Sequence, residues 1–201
     1  MITKIGSEEP KSPVKIQERT TPDSGNAAAN YAVLNDFLRD CCVELMSDYG
    51  LPATLQADAN ATLPPTVLAT AAIDFSGRDL RGTICLRMTR SVVLETYRAA
   101  LDTVIQSDSP EAADWTCELV NQLIGRLKNK LRTSRVSFNV NSPRLLPSLP
   151  PGELDSALRH RFLCDGGRFA GYLDVFIAPG VVIAPSAPEA ALPDEGDVVL
   201  F

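Results

Sequence analysis

Two hydrophobic periods alternate along the middle of this chain, and their order restricts the fold more than any other feature of the sequence. Val33, Leu34, Phe37, Leu38, Cys41, Leu45 and Met46 recur at helical spacing. Asn30 reads as the cap before them and Gly50 as the stop, which predicts a helix over roughly residues 31–48. Residues 51–57 have the composition of a short strand, and 66–75 with 81–88 read as a hairpin around Ser76-Gly77-Arg78-Asp79. A second helix is expected over about residues 90–105, with Val93, Leu94, Tyr97, Leu101 and Val104 on its core side. Asp108-Ser109-Pro110-Glu111 has the chemistry of a helix start: a capping oxygen on Asp108, a proline where no backbone donor is missed, and a carboxylate three residues beyond the cap. The third helix then runs to about Arg132. An extended piece over residues 136–141, a proline-rich turn region over 143–151, and a closing hairpin, 157–164 with 168–177, pivoting on Asp165-Gly166-Gly167, complete the pattern. Helix, strands, helix, helix, strands is the order of an α+β fold, with three main helices packed on an antiparallel sheet. Matching Asp36 with Asp114 gives each half a helix, an extended piece and a hairpin, so the chain reads as two pseudo-repeated α-β-β-β halves joined by the second helix.

The flanks lack either period. Residues 1–29 mix prolines, serines and charges and read as a disordered leader; residues 179–201 read as a flexible Pro/Ala/acidic tail ending in Val198-Val199-Leu200-Phe201, which leaves 30–178 as the folded domain. With 45% hydrophobic and 22% charged residues, that domain can close a core. Twenty-five acidic residues against 19 basic ones give a net charge of −6, which argues against broad binding to nucleic acid or to an anionic membrane and points to protein or small-molecule partners. No export signal and no stretch of about 18 apolar residues is present, so a cytoplasmic protein is expected. The five cysteines, Cys41, Cys42, Cys85, Cys117 and Cys164, form no C-x-x-C pair and read as free, buried or half-buried thiols. His160, the one histidine, sits between two arginines and is expected to be exposed. Alone it makes neither a triad nor a metal site.

The third helix is the most informative stretch. Leu119, Val120, Leu123, Leu127 and Leu131 form its apolar stripe, and Asp114, Glu118, Asn121, Gly125 and Lys128 fall on the opposite side. Glu118 and Asn121 are neighbours at i and i+3. Pattern alone makes such a pair a solvated one. Gly125, however, costs about 1 kcal/mol relative to alanine inside a helix, a cost that the close approach of another backbone would compensate. The basic run Arg126, Lys128, Lys130, Arg132 and Arg135 either complements the helix C-terminus or steers an acidic partner.

At these residues the sequence resembles the CheX-like branch of the CheC/CheX/FliY chemotaxis phosphatases. The shared motif is an acidic residue or serine, then E-x-x-N, then a proline some twenty residues on; here it is Asp114, Glu118, Asn121 and Pro143, with Gly125 and Lys128 in the helix continuation. Asn35-Asp36-Phe37, Phe75-Ser76-Gly77 and Leu80-Arg81-Gly82 extend the resemblance over about residues 31–178. It implies a hydrolase of two-component signalling, a phosphatase for the aspartyl phosphate of a CheY-type response regulator receiver domain. By that resemblance Glu118 pairs with the receiver's lysine, Asn121 holds a water in line with the acyl phosphate, and Asp114, Gly125 and Lys128 serve binding. No cofactor is held by this chain; the Mg²⁺ is expected from the receiver. In the half-repeat register Asp40 stands opposite Glu118 but Val43 opposite Asn121, so one site is expected rather than two. The resemblance also implies a homodimer made by sheet extension. The alternative is a non-catalytic CheX-like binding module that recognises a receiver or assembles with switch-type proteins.

Overall fold

The computed structural model describes residues 24–56, 68–146 and 157–185. The expected leader up to residue 23 and the tail from residue 186 lie outside the described residues. In chain order the elements are α1 (Ser24–Ser47), β1 (Ala53–Leu55), β2 (Leu68–Ser76), β3 (Leu80–Thr89), α2 (Arg90–Leu101), α3 (Pro110–Leu131) with a 3₁₀ turn at Arg132–Ser134, β4 (Asn139–Val140), β5 (Arg144–Leu145), β6 (Leu158–Cys164) and β7 (Gly167–Ile177). The strands form one seven-stranded antiparallel sheet in the order β1-β6-β7-β3-β2-β4, with β5 also on the outer side of β2.

That order carries the repeat read from the sequence. Exchanging the halves sends β1 to β4, β2 to β6 and β3 to β7, and turns the strand order into its own reverse. The long pairing of β3 with β7, Leu80–Met88 against Phe169–Ile177, is the seam between halves. On one face of the sheet, Ile73, Phe75, Ile84, Leu86, Met88, Phe162, Phe169 and Leu173 form one core with Leu34, Leu38, Cys41 and Leu45 of α1 and Leu119, Leu123 and Leu127 of α3. Gly171 lets α1 close on β7: a Cβ there would lie 2.5 Å from Cys42 Sγ.

Five expectations are corrected. Helix α1 begins at Ser24, and Asn30 is not its cap but a buried residue well inside it. Its Nδ2 donates to the Val181 carbonyl at 2.7 Å and its Oδ1 accepts the Ile183 N–H at 2.8 Å, so residues 181–183, expected to belong to the tail, are packed on α1 with Ile183 in the core. Helix α2 stops at Leu101, where Asp102 turns left-handed at φ 49°. Its buried residues are Val92, Val93 and Thr96, while Leu101 and Val104 are 54% and 78% exposed. Thr96 can go inside because its hydroxyl bonds the Val92 carbonyl at 2.9 Å and accepts the Trp115 indole N–H at 2.9 Å. The cap of α3 is Ser109, not Asp108: Ser109 Oγ accepts from the Ala112 N–H at 3.3 Å, and Pro110 opens the helix as expected. His160 is half-buried, with Nε2 2.9 Å from the Asn35 carbonyl oxygen, and burial holds its pKa below the ordinary histidine value.

Asn30→Ala removes both bonds of the carboxamide and strands the carbonyl and N–H of the 181–183 segment. It is expected to lower stability by about 2 kcal/mol, measured as the midpoint of urea unfolding at constant slope. A loss under about 0.5 kcal/mol would mean that the clamp adds nothing beyond what solvent supplies.

Candidate functional site

Helix α3 is oriented by its buried side chains. Ala112, Thr116, Leu119, Val120, Leu123, Ile124, Leu127 and Leu131 face inward, against α1 and β2. The remaining strip is fixed by that choice: Asp114, Glu118, Asn121, Gly125 and Lys128 are all exposed. At the α-helical rise these positions run along ~21 Å of one surface. A Cβ at Gly125 would meet nothing within 4 Å, so no backbone of this chain makes the close approach expected there. The glycine leaves a bare patch of helix between Asn121 and Lys128.

Glu118 and Asn121 differ in how they are held. Glu118 Oε1 accepts a hydrogen bond from Gln122 Nε2 at 3.1 Å, and Gln122 Oε1 accepts the Tyr49 hydroxyl at 2.7 Å. Because a carboxylate only accepts, the amide of Gln122 must turn its nitrogen to Glu118 and its oxygen to Tyr49. Burial raises the Tyr49 pKa above the ordinary phenol value, against the opposing pull of its bond to Gln122, so the phenol keeps its proton. The Asn121 carboxamide has no hydrogen-bond partner among the described residues. It is free to take partners from outside.

The basic run divides. Arg126 is paired with Asp48 and Lys130 with Glu44, at 2.7 Å for the latter, so these two fasten α3 to the C-terminal end of α1. Lys128, Arg132 and Arg135 remain exposed, with the Lys128 ammonium 5.9 Å from the centre of the Phe138 ring. Pro143 is half-buried between β4 and β5. On α1, at the positions matching Asp114 and Glu118, Arg39 bonds Asp36 at 2.9 Å and Asp40 at 3.0 Å, and half-buried Val43 stands where α3 has Asn121. On α1 the two carboxylates are thus engaged by one guanidinium, and the position matching Asn121 has no amide.

The five cysteines are free, as expected. Burial pushes Cys41 and Cys85 up to about 12 and Cys164 up to about 11, and raises Cys42 and Cys117 as well, so none is poised as a thiolate nucleophile. Among the described residues no group of three or more His, Cys, Asp or Glu is arranged to hold a metal ion, and no helix is long and apolar enough to cross a membrane. What the strip offers is a projecting carboxylate, a free carboxamide, a bare turn of helix and an ammonium, suited to bonding groups of a second macromolecule. The sequence wheel found these residues but missed Gln122 and Tyr49. Gln122 was signalled by its i+4 spacing from Glu118; Tyr49 comes from another element and had no local signal.

The family model described as chemotaxis phosphatase CheX matches residues 69–148, which include Asp114, Glu118, Asn121 and Pro143. The fold is similar to that of the chemotaxis protein CheX from Vibrio vulnificus, with a TM-score of 0.59, 18% identity, and coverage of 72% of this chain and 96% of that one. It is also similar to a CheC-like superfamily protein from Shewanella sp. PV-4, with a TM-score of 0.56, 16% identity, and coverage of 72% and 97%. A third similar structure is the CheX-CheY-BeF₃-Mg²⁺ complex from Borrelia burgdorferi, with a TM-score of 0.52, 12% identity, and coverage of 73% and 97%. No curated protein matches the sequence.

Because a methyl at residue 125 meets open space, Gly125→Ala is expected to stabilise the isolated chain by about 0.5–1 kcal/mol, read as a higher thermal midpoint. A lower midpoint would show that something within this chain needs the glycine.

Proposed function

We propose that this CheX-like chain is a phosphatase that hydrolyses the aspartyl phosphate of a CheY-type receiver domain. The observation that carries the reading is an exposed Glu118 at i and an exposed, uncommitted Asn121 at i+3 on one helix, within the residues that match the family model. The Borrelia complex, whose name joins a CheX to CheY with beryllium fluoride and Mg²⁺, supports a receiver as the class of partner.

In this reading α3 lies across the receiver's phosphorylation pocket. Glu118 pairs with a lysine there, and the Asn121 carboxamide holds a water in line with the phosphorus. The water's oxygen bonds to phosphorus as the bond to the aspartate oxygen breaks; inorganic phosphate leaves, and the receiver's carboxylate is restored. An acyl phosphate already has a good leaving group, so positioning the nucleophile is the main task left to the enzyme. A carboxamide suits that task because it donates through nitrogen and accepts through oxygen with no change of protonation state. The Mg²⁺ belongs to the receiver, and this chain supplies no metal ligand to the reaction. Gly125 lets the partner's backbone come close beside Asn121. Asp114 borders the N-terminal end of the strip, and Lys128, with Arg132 and Arg135 beyond it, favours approach of an acidic pocket. A homodimer would form by adding a second copy at β1, the outermost strand beside β6.

Asn121→Ala is expected to slow phosphate release from an acetyl-phosphate-charged receiver by at least about tenfold, roughly 1.4 kcal/mol of barrier, while receiver binding survives. Equal turnover by variant and wild type would remove Asn121 from the mechanism.

Glu118→Ala is expected to weaken binding to a beryllofluoride-charged receiver several-fold, measured by titration calorimetry. Unchanged affinity would refute the assigned lysine pairing.

A further inference from the structure

We infer that Gln122 and Tyr49 are positioning residues that set the Glu118 carboxylate in the conformation it presents to the partner. The inference rests on the role proposed for Glu118. A glutamate on an exposed helix turns freely about its side-chain bonds, and a partner that used it would have to surrender that freedom on docking. Here the freedom is already reduced. Gln122 Nε2 holds Oε1 at 3.1 Å, and this single bond leaves the second carboxylate oxygen for a cation.

The restraint on Gln122 comes from outside α3. Tyr49 follows the C-terminus of α1, where the Tyr49 and Leu51 N–H groups both return to the Met46 carbonyl, at 3.1 and 3.0 Å, and Gly50 takes the left-handed φ of 68°. This turn delivers the hydroxyl 2.7 Å from Gln122 Oε1. The Tyr49 ring stands edge-on to Trp115, 5.7 Å between centroids, and Tyr97 of α2 stands edge-on to the same indole at 5.5 Å. Trp115 is anchored in turn by its N–H to buried Thr96 at 2.9 Å. A continuous set of contacts therefore runs from the core side of α2 through Trp115, Tyr49 and Gln122 to the acid. The acid is preset, whereas the Asn121 amide keeps the freedom needed to follow a water.

The test uses the full chain and a CheY-type receiver charged with acetyl phosphate and Mg²⁺. Gln122→Met keeps side-chain length but loses both bonds; Tyr49→Phe keeps the ring on Trp115 and loses the hydroxyl. Each is expected to raise KM for the phosphorylated receiver three- to tenfold with kcat changed less than twofold, and with the fluorescence of Trp115, the one tryptophan, unchanged. Gln122→Glu replaces the donor amide by a like charge beside Glu118, and its KM is expected to rise at least as much as that of Gln122→Met, again with kcat changed less than twofold. An unchanged KM in both Gln122→Met and Tyr49→Phe, where Glu118→Ala raises it, overturns the positioning role alone. An unchanged KM in Glu118→Ala overturns the role of Glu118 itself, and the positioning role with it.

Discussion

The rotation of α3 about its own axis is the constraint on which the rest of the site depends. Eight buried residues from Ala112 to Leu131 turn the helix toward α1 and β2. Each large apolar side chain among them contributes on the order of 1.5–3 kcal/mol by leaving water, so a turn that exposed several at once would cost more than a domain's whole margin of stability. Asp114, Glu118, Asn121, Gly125 and Lys128 project outward because the opposite side of the cylinder has no alternative. The ion pairs of Arg126 and Lys130 with Asp48 and Glu44 oppose sliding of α3 along α1. They are exposed in part and add little stability, but they fix the level at which Tyr49 meets Gln122.

The near-twofold arrangement makes α1 an internal control for α3. Both helices pack on the same face of one sheet, and the strand order is its own reverse when the halves are exchanged. The fold alone would therefore permit a site on either. What separates them is chemistry at three positions. On α1 the two carboxylates share Arg39 and the third position is half-buried Val43. On α3 the acid accepts an amide N–H and the third position is a free carboxamide. Architecture supplies two similar helical surfaces, and the side chains at these positions distinguish them.

Much of this was legible because the two periods are strong. The apolar positions 119, 120, 123, 127 and 131 leave one surface of α3, so the strip could be read from spacing; the two hairpins followed from alternation and their glycine-bearing turns. Three of the features that spacing did not reveal have a common physical origin. Asn30 before an apolar run looks like a cap, yet its carboxamide is satisfied by Val181 and Ile183 at the far end of the chain. Thr96 is not among the core positions that the helical period gives for α2, yet it is buried, with its hydroxyl accepting from Trp115 of α3. Tyr49 reaches Gln122 only because α1 and α3 lie side by side. In each case a polar group is satisfied by a residue distant in sequence, and local spacing carries no record of that partner. Hydrophobic burial leaves a periodic trace; polar satisfaction across elements does not.

The chemistry of the strip also bears on the substrate proposed for it. Hydrolysis of a phosphate ester of serine or threonine expels an alkoxide, which needs a proton as it leaves and so a general acid held beside the phosphate. The cysteines are packed away from that role, four of them buried, and His160 is engaged with the Asn35 carbonyl beneath α1. Beside Asn121 the strip has an acid committed to accepting hydrogen bonds and a bare glycine. Hydrolysis of an aspartyl phosphate expels a carboxylate whose conjugate acid has a pKa of about 3.9, so no proton need be delivered to the leaving oxygen. In the role proposed for it, a strip whose Asn121 orients water and whose Glu118 meets a cation fits the second reaction better than the first. The proposed acyl-phosphate substrate therefore asks of this chain only a positioned water, and charge neutralisation of the phosphoryl group falls to the proposed partner.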